Sequence, residues 1–360
     1  MKKIFTKAIV ALSMLAFMLP LGGCMDDNDD KEEDFDAKGT GLFIANEGGF
    51  SRSNASLSYY DPATKEVENE VFARANGMKL GDTANSITMF GDKVWIVMNV
   101  SNVVFAINPD TFKEEGRVTD LTSPRNMHFV SSSKAYITQY YDNRIAVVDP
   151  ATYTVTGHIT VPGMDDPNTA STGPMVQVGR YVYCACPSYQ KKIIKIDTTT
   201  DKVVDELEVG IQPVGIVRDR NNDIWCLTDG GGWEQNPIGY EAPTLCRIDT
   251  DEFKIVNRFT FQKGDYARAL VIDGRRENIY WLNGGVWKMK INSTALPSEP
   301  FITSDSYTLY SLSVNPVNGD VYVGDALDYQ QPGMIYRYSA SGNLTDKFYA
   351  GINPGSFCWK

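Results

Sequence analysis

Short apolar strands recur along this chain in pairs, and the second strand of each pair ends in Asp, Asn or a polar substitute. The endings read Tyr59-Tyr60-Asp61-Pro62, Ala106-Ile107-Asn108-Pro109, Val147-Val148-Asp149-Pro150, Lys195-Ile196-Asp197-Thr198, Arg247-Ile248-Asp249-Thr250, Lys288-Met289-Lys290 and Arg337-Tyr338-Ser339. From Asp61 to Ser339 the spacing varies only between 41 and 52 residues. A period of that size with several strands per unit marks propeller blades. The pattern predicts an all-β fold, a seven-bladed β-propeller.

Read as strands A to D from the axis outward, the inner strands fall at Asn85–Phe90, Asn126–Val130, Met175–Val178, Val214–Val217, Ala267–Ile272, Leu309–Val314 and Gly355–Trp359. The folded chain begins on a B strand at Leu42, so its final segment supplies the inner strand of blade 1 and closes the ring. Antiparallel geometry puts the A–B and C–D turns on one face, and the B–C and D–A loops on the other. The first face carries turn chemistry such as Asp61-Pro62-Ala63-Thr64 and Asp149-Pro150-Ala151-Thr152, so its repeated Asp residues are structural.

The opposite face has longer B–C loops that carry Phe50, Tyr140, Tyr141, Tyr189, Trp233, Tyr240 and Tyr329. Aromatic-bearing loops on one rim of a rigid scaffold are where binding sites are built. Polar residues should converge there, at B-strand ends and A-strand starts: Asn46, Glu47, Asp82, Asn85, Asn99, Arg125, Arg268, Asn283, Tyr310 and Asp325, with Asp229 in the longest loop. For any one of them, capping loop backbone is the competing role. Together they suit a large neutral or amphipathic ligand bearing many amides.

The termini change the picture of where the domain sits. Residues 1–23 read as a leader: Lys2, Lys3 and Lys7, an apolar stretch too short to span a bilayer, then Leu21-Gly22-Gly23-Cys24. That last run resembles a lipobox, in which Cys24 is lipidated and becomes the mature N-terminus. Residues 24–40 form a solvated tether with eight acids and one Lys between Asp26 and Asp36, leaving 41–360 for the propeller. An acidic run after a lipidated Cys resembles a surface-export signal of Bacteroidota lipoproteins. The formal charge of −11 becomes more negative once the leader lysines are removed, which disfavours nucleic acid as a partner.

Catalytic chemistry is sparse. The two histidines, His128 and His158, have no partner at metal spacing, and no Ser/His/Asp set can be assembled around them. Gly230-Gly231-Gly232 follows no strand–loop–helix pattern and reads as a pliant turn beside Trp233. The first alternative function is a propeller binding module for another ligand or a partner protein; behind it, Glu47, Asp82, Asp229 and Asp325 leave a metal-dependent lactonase-type enzyme, with a quinoprotein enzyme beside it. Cys184, Cys186, Cys226, Cys246 and Cys358 are expected to be buried small hydrophobes, although Cys226 and Cys246 lie on neighbouring strands.

The segments Leu42-Phe43-Ile44-Ala45-Asn46-Glu47-Gly48, Ser56-Leu57-Ser58-Tyr59-Tyr60-Asp61, Ser123-Pro124-Arg125, Trp225-Cys226-Leu227-Thr228-Asp229-Gly230-Gly231, Asp325-Ala326-Leu327-Asp328-Tyr329-Gln330 and Gly351-Ile352-Asn353-Pro354-Gly355-Ser356-Phe357 resemble Bacteroidota YncE-like propeller lipoproteins. The resemblance spans the whole mature domain. Its BtuG-like branch implies a cell-surface, outer-membrane lipoprotein held by its lipid anchor alone. Such a protein captures vitamin B12 and related corrinoids and passes them to a TonB-dependent transporter of the BtuB type. The corrinoid would be cargo rather than a cofactor, no resident metal is implied, and the protein would not be an enzyme.

Overall fold

The computed structural model describes residues 38–306 and 308–360. The leader, Cys24 and the acidic segment lie outside the described residues. Seven four-stranded antiparallel sheets follow one another along the chain, each built in sequence order from the inside out. Blade 1 is the exception that closes the ring. Its inner strand, Pro354–Trp359, pairs with Leu42–Asn46 in the register Leu42↔Trp359 and Ile44↔Phe357. The fold is a seven-bladed β-propeller sealed by its own C-terminus.

The strands form because B and C segments are buried on both faces and read as continuous apolar runs. Lys93–Met98 and Ile224–Thr228 are examples. Each blade junction holds its own hydrophobic cluster, seven among the described residues. Outer strands such as Lys202–Glu208 and Lys254–Thr260 are mostly exposed, each with only two positions turned towards the blade. Their charged residues and the register shifts at Lys195/Ile196 and Arg247/Ile248 blunt edges that would otherwise recruit another strand.

The repeated turn acids work as expected. Asp61, Asp149 and Asp197 each accept, through Oδ1, the backbone N–H two residues on, at 2.7, 2.9 and 2.9 Å. The last residue of several of these turns sits in the left-handed region, and its ring packs on the preceding blade. Phe112 meets Phe43 at 6.1 Å, Tyr153 meets Trp95 at 5.7 Å and Phe253 meets Tyr183 at 5.3 Å. The repeat thus staples blade to blade as well as turning the chain.

One feature lies beyond the sequence reading. A one-and-a-half-turn helix, Val71–Asn76, fills the connection from blade 1 to blade 2 and buries Val71 and Phe72. Cys226 and Cys246 face each other across a strand pair, yet all five described cysteines are free and buried. Among the described residues no helix is long and apolar enough to cross a membrane.

Candidate ligand-binding mouth

Six of the seven inner strands enter the sheet through a break in register with the B strand, at Ala84/Ser86, Pro124/Met127, Pro213/Gly215, Arg268/Val271, Leu309/Ser311 and, in blade 1, opposite Ala45/Asn46. A bulge leaves its extra residue outside the ladder and re-aims the side chain. Asn85, Arg125, Tyr310 and Gly355 are such residues. All four lie at the D–A end of the inner strands, on the face with the long loops.

Their contacts run from blade to blade around the axis. Asn85 Nδ2 and Ser86 Oγ both donate to the Arg125 carbonyl at 2.7 Å, and Asn99 Nδ2 donates to the Pro124 carbonyl at 3.1 Å. Arg268 donates to the Leu309 carbonyl, and its second amine reaches the Tyr266 hydroxyl at 3.2 Å. Tyr310 donates to Glu47 Oε2 at 2.7 Å. Gly355 makes room for that carboxylate, since a Cβ there would lie 2.8 Å from Glu47 Cγ. Deeper along the axis, His128 Nε2 meets Gln177 Oε1 at 3.0 Å, and burial pushes the imidazole towards its neutral form.

Electrostatics at the mouth are balanced. Burial raises the Glu47 carboxyl above its ordinary range, opposed by the Tyr310 hydrogen bond and by the Arg125 and Arg268 charges. Burial and the neighbouring Glu47 also hold the Tyr310 phenol in its neutral, donating form. Arg125 lies 3.9 Å from the Tyr140 ring centroid, and its Nε is buried with no hydrogen-bond partner among the described residues. Arg268 stacks on Tyr266 at 4.5 Å and stands 5.6 Å from Tyr310. Guanidinium groups fixed on aromatic faces keep unused N–H groups for a ligand.

Aromatic pairs complete the rim. Tyr140 and Tyr141 are 5.9 Å apart, Tyr189 and Trp233 6.4 Å, and Tyr310 and Tyr329 6.0 Å. Tyr140 also shares a hydrogen bond with the Ser188 hydroxyl. Tyr141, Tyr189 and Tyr329 all adopt φ near +60°, which costs a non-glycine residue about 1–2 kcal/mol. Phe50, Tyr141, Trp233, Tyr266 and Tyr329 are exposed on these loops, and among the described residues Tyr349 is the one exposed large aromatic elsewhere.

The remaining expected residues are spent on local structure. Asn46 is buried inside blade 1 and donates to Ser58 Oγ at 2.9 Å and Ser56 Oγ at 3.2 Å, because the bulge beside it turns it inward. Asp82 accepts the Ser53 and Ser51 amides, at 2.9 and 3.3 Å, to shape the first B–C loop. Asp325 accepts from Thr308 at 2.6 Å and from the Leu327 amide at 2.9 Å. Asp229 accepts the Gly231 amide at 2.8 Å and Gln212 Nε2 at 3.2 Å, pinning the base of the loop that carries Trp233. Asn283 accepts the Tyr266 amide at 3.2 Å. Of the four carboxylates that a cation site would need, Glu47 alone is tied to the axial ring. Among the described residues no group of three or more His, Cys, Asp or Glu is placed to hold a metal.

Two contributors were not foreseen, Tyr266 and Ser188. Tyr266 sits in a D–A loop, two residues before Arg268, and D–A loops share the face of the B–C loops. An inventory of aromatics over both loop sets would have found it.

Residues 40–350 match the family described as Domain of unknown function (DUF5074). The chain belongs to that family. Solved propellers resemble this DUF5074 chain at low identity. A quinonprotein alcohol dehydrogenase-like protein from Bacteroides thetaiotaomicron aligns with TM-score 0.66 and 15% identity, over 89% of this chain and 78% of that one. A putative 6-phosphogluconolactonase from Bacteroides fragilis aligns with TM-score 0.64 and 12% identity, over 90% and 99%. The periplasmic gluconolactonase of Pseudomonas aeruginosa aligns with TM-score 0.63 and 10% identity, over 88% and 98%. These likenesses establish the shared propeller, whose bearers have different functions. No curated protein matches the chain.

Proposed function

We propose that this DUF5074 protein is a ligand-capture lipoprotein of the cell surface that binds corrinoids and hands them to a TonB-dependent outer-membrane transporter of the BtuB type. The observation that carries the reading is the gathering of exposed aromatics on one rim around two ring-stacked arginines. A corrinoid is a broad disc edged with amides, and in cobalamin it carries a phosphodiester. Tyr141, Trp233 and Tyr329 offer area to the disc, while Arg125 and Arg268 offer charge-assisted hydrogen bonds to phosphate or amide oxygens. Because the arginines are already held on rings and the inner strands are locked by inter-blade hydrogen bonds, little ordering cost remains at binding.

The lipobox-like run Leu21-Gly22-Gly23-Cys24 and the acidic run after it support the surface location, and the transporter is carried over from the family resemblance. Titration of the purified protein with cyanocobalamin, followed by tryptophan fluorescence and calorimetry, tests the reading. Saturable one-to-one binding supports it, and absence of binding to any corrinoid removes it.

A further inference from the structure

Off the axis, between blades 6 and 7, a cleft of about 340 Å³ opens on the loop face. That is near the low end of the range for small-molecule sites, about 300–1,000 Å³, and suits one ring rather than a broad disc. We infer that this cleft is a sugar-ring site, made by Tyr266, Arg268, Asn283, Ser304, Asp305 and Ser306.

The argument rests on what these side chains leave unused. Among the described residues the exposed Asp305 carboxylate makes no hydrogen bond or ion pair, and Asn283 Nδ2 has no acceptor. Arg268 uses one N–H on each of Tyr266 and Leu309, and its Nε–H has no acceptor among the described residues. Ser304 and Ser306 add two hydroxyls, held in place by the Ser306 amide and by Thr308. Acceptors and donors are therefore mixed within one small space. An apolar ligand would leave them all unpaired, and a free phosphate would meet the Asp305 charge. Adjacent hydroxyls on a sugar ring both donate and accept, so they satisfy carboxylate, amide and guanidinium together.

Tyr266 supplies the other half of sugar recognition. The residue is 57% exposed, and Arg268 lies over its ring at 4.5 Å, leaving the other side as a flat apolar surface for the C–H face of a sugar. Gly284 lies at φ 63° in the cleft wall with nothing within 4 Å of where a Cβ would stand, so bare backbone borders the space.

The sugar has two sources, a free glycan or a ribose carried on a larger ligand seated in the mouth. A panel of neutral oligosaccharides tests the first. Parallel titration with cyanocobalamin and with dicyanocobinamide, which lacks the ribosyl phosphate arm, tests the second. Asp305→Ala and Tyr266→Ala are surface substitutions, checked for folding by thermal unfolding. Glycan binding that falls at least tenfold in both variants supports the free source. Cobalamin binding tighter than cobinamide, with the difference abolished in both variants, supports the carried source. If no glycan binds and the two corrinoids bind equally, the sugar site is wrong while the corrinoid reading stands. Binding of neither class overturns both, and glycan binding untouched by the two substitutions overturns the sugar site alone.

Discussion

The Tyr310 hydroxyl donates a 2.7 Å hydrogen bond to Glu47 Oε2, tying the inner strand of blade 7 to the B–C loop of blade 1. Three things meet at this contact. The bulge after Leu309 turns Tyr310 out of the ladder, Gly355 clears space for the carboxylate, and Arg125 and Arg268 lower the cost of its charge. The junction that closes the ring is therefore also a wall of the mouth.

Burial makes Glu47 a source of pH dependence. Its carboxyl is held above the usual 4.5, so the folded chain keeps a proton that the unfolded chain has released. Stability from this group is full below that value and is lost as pH rises from 4.5 through the raised folded value. Glu47→Gln keeps an acceptor for Tyr310 without the charge. Thermal unfolding between about pH 4 and 8 should show a flatter profile in the variant, with no loss of stability near neutrality. A variant markedly less stable at neutral pH would show that the ionised carboxylate is worth keeping.

Gly355→Ala tests the space above the inner strand. Its Cβ would lie 2.8 Å from Glu47 Cγ and 2.9 Å from Cδ, so Glu47 must move and release Tyr310. Overpacking of this kind costs about 1–3 kcal/mol. Ligand binding should fall together with stability. Gly157→Ala is the control, because its Cβ meets only Val147 at 4.0 Å. Chemical denaturation should leave that variant near wild type.

Ring closure should be the most fragile feature of the fold. Deleting Pro354–Lys360 removes the inner strand of blade 1 and strips cover from Leu42, Ile44 and Tyr322. Even Trp359→Ala should cost about 3–5 kcal/mol. Arg337 closes the same seam from outside, with bonds to Asp320 at 2.8 Å, to the Pro62 carbonyl at 2.8 Å and to the Tyr60 hydroxyl at 3.2 Å. Arg337→Ala should cost about 3 kcal/mol, since it leaves Asp320 half-buried without its cation. Urea titration measures both, and wild-type midpoints would contradict the closure account.

The proposed lipid anchor predicts that membrane attachment is separable from folding. Cys24→Ala should leave the unfolding temperature unchanged and shift the protein from the membrane to the soluble fraction, because one lipid anchor is lost and no propeller residue changes. Retention on membranes in cells lacking the transporter would argue against lipidation.

The fold was largely legible because propeller strands are short, apolar and evenly spaced. Met175–Val178 and Leu309–Val314 occur with the expected bounds. The mouth was less legible, because bulges decide which side chain faces the axis and a bulge leaves almost no trace in hydrophobic alternation. Asn46 and Glu47 are neighbours in sequence, yet one is buried among serines and the other reaches Tyr310. Asp82 and Asp325 were placed near the axis by strand counting alone. Their bonds to loop amides and to Thr308 depend on loop conformations that pattern reading does not reach. The Val71–Asn76 helix escaped for a different reason. It is under two turns long, too short for a helical period to show, although Gly77 at φ 66° supplies the expected stop.

The central claim is that one face captures a corrinoid, and a face-resolved titration tests it most directly. Cyanocobalamin is titrated into the wild-type protein without added metal, then into Arg125→Ala, Trp233→Ala and Asn318→Ala. Asn318 lies on the opposite face, in the turn between Leu309–Val314 and Val321–Asp325. The account predicts one-to-one binding that weakens at least tenfold in the first two variants and is unchanged in the third, a tenfold loss corresponding to about 1.4 kcal/mol. No saturable binding to wild type, or a loss confined to Asn318→Ala, would contradict it.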